Sequence, residues 1–126
     1  MNRRDLLKIS LWLVIGIFFL NAMAMKFFWY YSIWWFDMPM HFLGVVFVGL
    51  ASLAFWTKQP ILRTILSILV ISILWELFEF SLDAFITYNP HNFLDTLSDV
   101  SFDLAGGLLS ILYFLYNYKH EKNFNY

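Results

Sequence analysis

The chain contains no cysteine, so disulfide bonds, zinc–thiolate centres and thiol nucleophiles are excluded at once. Charge is scarce as well: Asp, Glu, Lys and Arg make up 13% of the 126 residues, against 61% apolar. A soluble domain of this size needs a polar skin, and this composition does not supply one. The formal net charge is −1 and no basic stripe is present, so nucleic acid is not an expected partner. Internal repeats, low-complexity segments, Gly-rich loops and serine nucleophile motifs are missing too.

What fills the chain is apolar runs near the roughly 20 residues that cross a bilayer. They lie at about 6–25, 38–56, 61–85 and 95–116, followed by a tail over 117–126. Thr57-Lys58-Gln59-Pro60 separates the second run from the third, and Asn89-Pro90-His91-Asn92 the third from the fourth. Proline after polar residues is a poor place to continue a helix, so both are boundaries. The expected fold is an all-α membrane protein: one transmembrane domain over 1–126, built as a four-transmembrane-helix bundle. Gly44 and Gly49 in the second span, with Gly106 and Gly107 in the fourth, are expected to let the helices approach closely.

Basic residues set the orientation. Arg3, Arg4, Lys8, Lys58, Arg63, Lys119 and Lys122 fall on one side of the four runs, and Lys26 alone falls on the other. The excess of Lys and Arg marks the cytoplasmic side. Both termini are thus expected inside (N-in/C-in), in a multi-pass protein of the cell's inner, cytoplasmic membrane. The aromatic stretch from Phe27 to Phe36 then lies at the outer interface, where Tyr and Trp place an apolar body and a polar tip. The start of the chain, Asn2-Arg3-Arg4-Asp5-Leu6-Leu7-Lys8, looks like a twin-arginine signal, with Ala22-Met23-Ala24 as a cleavage site. Because the rest of the chain is membrane-embedded, an uncleaved first helix is the expectation.

The acids carry the chemistry. Seven of nine, all but Asp5 and Glu121, belong to spans two to four or their outer ends. An ionisable residue inside a membrane costs about 2.5–3.5 kcal/mol on insertion scales, so each calls for a partner. At about 1.5 Å of rise per residue, Asp37 and His41, Glu76 and Glu79, and Asp99 and Asp103 reach similar depths from alternating directions. Spacing agrees with depth: Asp37 and His41 share a face, Glu76, Glu79 and Asp83 follow one stripe, and Asp95, Asp99 and Asp103 another. No Arg or Lys neutralises them, Lys26 being the one candidate. So many carboxylates at close quarters stay ionised only with a cation among them; otherwise some are protonated. The donor set suits Mg²⁺, Mn²⁺ or Ca²⁺, and also Zn²⁺ or non-haem Fe.

The Asp37-x-x-x-His41 start, the Trp75-Glu76-Leu77-Phe78-Glu79-Phe80 block and the Asp95-Thr96-Leu97-Ser98-Asp99…Asp103…Gly106-Gly107 block together resemble small bacterial YjdF-type membrane proteins. That group is similar in layout to the VanZ-like family. The resemblance covers about residues 37–110. Glu79 stands where VanZ-like proteins have a Gln, no Arg follows, and Asp103 stands near their late Asn, which favours the YjdF-type reading. Neither family brings a settled reaction.

Two functions follow as expectations. In the first, His41, Glu76, Glu79 and Asp99 hold a divalent metal near the outer leaflet, with Asp103 or Asp37 as general base. Such a metal would polarise a phosphoryl or carbonyl oxygen of a lipid or cell-envelope precursor. In the second, the carboxylates form a proton or cation site of a transporter. Four helices are few for that task, which calls for a homo-oligomer. A structural membrane protein without catalysis is the plainest alternative, and membrane lipids are the expected partners throughout.

Overall fold

Five helices are seen in the computed structural model, which describes residues 3–82, 84–85 and 92–124. They are α1 (Arg3–Lys26), α2 (Trp29–Ser32), α3 (Asp37–Phe55), α4 (Pro60–Leu82) and α5 (Phe93–Phe124). No strand occurs among the described residues. Four helices, Arg3–Lys26, Asp37–Phe55, Pro60–Leu82 and Phe93–Lys119, are long and apolar enough to cross a membrane. The all-α, four-helix membrane architecture expected from the sequence is thus the observed one. Asp83, with most of the expected turn between the third and fourth spans, lies outside the described residues.

Local chemistry explains the helix ends. Pro60 opens α4, where its missing N–H is one that no helix would bond, and its fixed φ suits a first turn. The preceding Gln59 takes a left-handed φ of 49° and its carbonyl accepts the N–H of Arg63 at 3.1 Å. Asn92 sets the start of α5: its Oδ1 accepts the Leu94 N–H at 3.2 Å, a side-chain cap of the preferred type. Asp95 therefore falls inside the first turn, where a negative charge favours the helix dipole. Between α1 and α3 the aromatic stretch folds as the short α2, entered through Phe28 at φ 57°. Phe36 is buried there against Trp29 and Tyr30, with ring centroids 5.5 and 5.1 Å away.

The third helix in chain order, α3, is the hub of the bundle, packing against α5, α1 and α4. Leu6 and Leu13 of α1 and Phe114 of α5 close on Val46, Leu50, Leu53 and Ala54 of α3. Two of the four glycines make the α3–α5 contact close. A Cβ on Gly106 would lie 2.5 Å from the Phe42 carbonyl oxygen, and one on Gly49 would overlap the Ser110 side chain. Gly107 is snug against Ile68, at 3.1 Å. Gly44 departs from expectation, because nothing stands within 4 Å of a Cβ built there. Its face of α3 looks into open space rather than at a helix, so it brings no helices together. The opposite faces of the outer helices carry Trp12, Phe19, Leu66, Leu74, Leu108 and Leu112, all well exposed. In water such a surface would be untenable, and in a bilayer it needs no partner.

Candidate metal centre

His41 sits one turn into α3 and is buried. Three helices place carboxylates around it: Asp37 from the start of its own helix, Glu79 from the last turn of α4, and Asp99 and Asp103 from the first turns of α5. Four residues separate Asp37 from His41 and Asp99 from Asp103, which keeps each pair on one helix face.

The two imidazole nitrogens have different surroundings. Nδ1 lies 3.2 Å from Oδ1 of Asp103, a hydrogen bond in which the ring N–H donates. Nε2 is 3.8 Å from Asp37 Oδ2, 3.7 Å from Glu79 Oε1 and 4.0 Å from Asp99 Oδ2. These separations are beyond hydrogen-bond range, and Nε2 is buried without a hydrogen-bond partner. With Nδ1 protonated and the ring neutral, the Nε2 lone pair would point at a space ringed by carboxylate oxygens. One donor atom from each of Asp37, His41, Glu79 and Asp99 lies within 4.8 Å of all the others. Metal–ligand bonds of about 2.0–2.2 Å put donor atoms about 3–4.4 Å apart, and the longer bonds of Ca²⁺ widen this further. The 4.8 Å limit lies just beyond the first range and inside the second, so these four side chains could hold one divalent ion.

Outer contacts fix two of these carboxylates. The Trp75 indole N–H donates to Glu79 Oε1 at 2.8 Å, and Ser98 Oγ lies 3.4 Å from Asp99 Oδ1, leaving Oδ2 toward His41. A ligating histidine whose other nitrogen is held by a carboxylate is the usual arrangement of protein metal sites, because it sets the tautomer and the ring plane. Exposure is graded. The side chains of His41 and Asp99 are 4% and 3% exposed, those of Asp37 and Glu79 33% and 31%, so the group is closed on the α5 side and open at Asp37 and Glu79. Lys26 is not its counter-charge: the ammonium lies over the Phe27 ring, 5.6 Å from the centroid.

Glu76 stands apart from this group. It lines a second cavity of about 340 Å³ between α4 and α5 with Ser72, Thr96 and Asp103. Its Oε1 is buried and has no hydrogen-bond partner. Three residues along a helix turn the chain by about 300°, which leaves Glu76 and Glu79 about 60° apart. That offset sends Glu79 to His41 and Glu76 to the α4–α5 seam.

On the open side the group borders a cavity of about 400 Å³ walled by α1, α3 and α4. Two polar residues that the sequence did not single out stand there. Tyr30 donates its hydroxyl to Asn21 Oδ1 at 2.7 Å. Burial, reinforced by the charges of Asp37 and Glu79, pushes the Tyr30 phenol above its ordinary range, so it remains a neutral donor. Trp75 was within reach of sequence reasoning, since it lies four residues before Glu79 and shares its face. Tyr30 and Asn21 come from separate elements and offered no periodic signal.

One family profile, described as a predicted membrane protein (DUF2238), matches residues 2–120. The match supports the resemblance to YjdF-type membrane proteins and covers far more of the chain than the motif blocks did. No curated protein and no solved structure matches significantly.

Proposed function

The chain belongs to the DUF2238 family of predicted membrane proteins, and on that footing we propose that it is a divalent-metal protein of the cell membrane acting on the head group of a lipid or cell-envelope precursor. One observation carries the reading: a buried, unpartnered His41 Nε2 facing three carboxylate oxygens, with Nδ1 held by Asp103. His41, Glu79, Asp99 and Asp37 are the ligands. Asp37 thus takes the place given to Glu76 on sequence grounds, and Asp103 orients the imidazole instead of acting as general base. A metal here would polarise a phosphoryl or carbonyl oxygen or lower the pKa of a bound water. Asp37, the most exposed of the four, is the carboxylate placed to accept a proton.

The rival reading is a proton or cation path, favoured by the unpartnered Glu76 Oε1 beside Asp103. Metal content of the purified protein separates the two. Wild type loaded with Zn²⁺, Mn²⁺ or Ca²⁺ should retain near-stoichiometric metal by mass spectrometry. Asp99→Asn should lose it and Glu76→Gln should keep it. Absence of metal from wild type under all three loadings would refute the metal reading and put the proton path first.

A further inference from the structure

The cavity on the open side of the cluster is apolar almost throughout, and one end of it is the cluster itself. Val14 and Phe18 of α1, Gly44 and Val48 of α3, and Ile71 and Trp75 of α4 form its walls. Asp37, His41 and Asp103 also border it, with Tyr30 and Asn21. Both α1 and α4 pack on α3, and they do not form a packed pair with one another. The space between them is therefore a slot bounded by two helices whose outer faces suit lipid.

Gly44 gives the slot its depth. Nothing lies within 4 Å of a Cβ there, so close packing does not account for the missing side chain. An apolar cavity in the bundle that ends on oxygen and imidazole donors matches one kind of molecule, an amphiphile with a hydrocarbon chain and a metal-binding anionic head. Water is a poor occupant of an apolar space this size, and ligand sites of about 300–1,000 Å³ are commonly apolar with a few convergent polar groups. We propose that this slot takes the hydrocarbon chain of a lipid phosphate, entering sideways between α1 and α4, with the phosphate resting on the metal held by His41, Glu79, Asp99 and Asp37. At the head, Tyr30 holds the carbonyl oxygen of Asn21, so the amide nitrogen of Asn21 is the end that offers donors. The inference rests on the metal reading and names the substrate class for it.

The test uses a single-chain alkyl phosphate carrying a photoreactive diazirine midway along the chain, added to the full-length, metal-loaded protein in nanodiscs. Metal content is measured on every sample. Crosslinks are expected on slot residues such as Val14, Phe18 and Val48. An unlabelled alkyl phosphate should compete at least tenfold better than inorganic phosphate, which separates a lipid head from a free ion. Gly44→Phe should cut the slot crosslinks at least fivefold while metal content stays at the wild-type value. Val48→Trp, a second way of filling the slot, should do the same and guards against a folding defect in the first variant. Full metal with crosslinks scattered over the outer helix faces, indifferent to both variants, overturns the chain slot and leaves the metal site standing. Equal competition by inorganic phosphate overturns the lipid assignment. A wild type without metal overturns both.

Discussion

At the scale of single residues, the four carboxylates around His41 are not equivalent, and substitution should rank them. Asp99 is a ligand in our proposal and Asp103 holds the other face of the ring. Asp103→Asn keeps the shape but not the charge, and lets the imidazole choose the wrong tautomer. Loss of such an outer partner lowers metal affinity by about 10–100-fold. Asp99→Asn removes a charged ligand outright and should cost more than that. Chelator competition on both variants checks the order; equal losses would mean that Asp103 is itself a ligand. The sequence carried part of this pattern. Depth and helical spacing pointed to Asp37, His41, Glu79 and Asp99 at one level. They did not separate Glu76 from Glu79, because a 60° difference on one helix matters only once the neighbours of α4 are known. Nor did they tell a ligand from its support, since Asp99 and Asp103 share a face of α5 and only the rotation of the imidazole between them assigns the roles.

At the scale of helices, the site depends on how closely α3 and α5 approach, for His41 stands on one and Asp99 and Asp103 on the other. Gly106 sets that approach, its missing Cβ leaving room for the Phe42 carbonyl. Gly106→Val would drive backbone from backbone, and overpacking of this sort costs about 1–3 kcal/mol. Thermal unfolding in detergent should show a clear fall in melting temperature, with loss of bound metal in the same variant. Gly44→Ala, facing open space, should melt as wild type does. If both variants melt alike, the α3–α5 contact is looser than described. The sequence presented Gly44, Gly49, Gly106 and Gly107 as one class, because small residues in membrane spans usually mark helix contacts. Which of them meets a helix depends on the rotation of α3 about its axis, and no local pattern records that. The spans were easier to read: apolar length and the polar breaks at 57–60 and 89–92 do not depend on packing at all.

At the scale of the whole molecule, charge is divided between the two ends of the bundle. Arg3 donates to the Trp56 carbonyl oxygen at 3.4 Å, and the Arg63 guanidinium lies over the Trp56 ring at 4.8 Å. These residues, with Lys58, gather at the end where α1 and α4 begin and α3 finishes. The carboxylate–histidine group and α2 lie at the other end, where α3 begins and α4 finishes. If the basic end is the cytoplasmic one, as the bias of Lys and Arg predicts, the open mouth of the site would face outward, toward the leaflet where a cell-envelope precursor would be met. The absence of cysteine makes this simple to test, since each introduced thiol is the only one. Trp34→Cys, on the exposed stretch after α2, should react with a membrane-impermeant maleimide in intact cells. Lys58→Cys should react only after permeabilisation. The reverse pattern would turn the site toward the cytoplasm. The proposed metal group would stand unchanged, but its substrate would then have to be a lipid or precursor of the inner leaflet, and the expectation that the site faces the outer leaflet would fall.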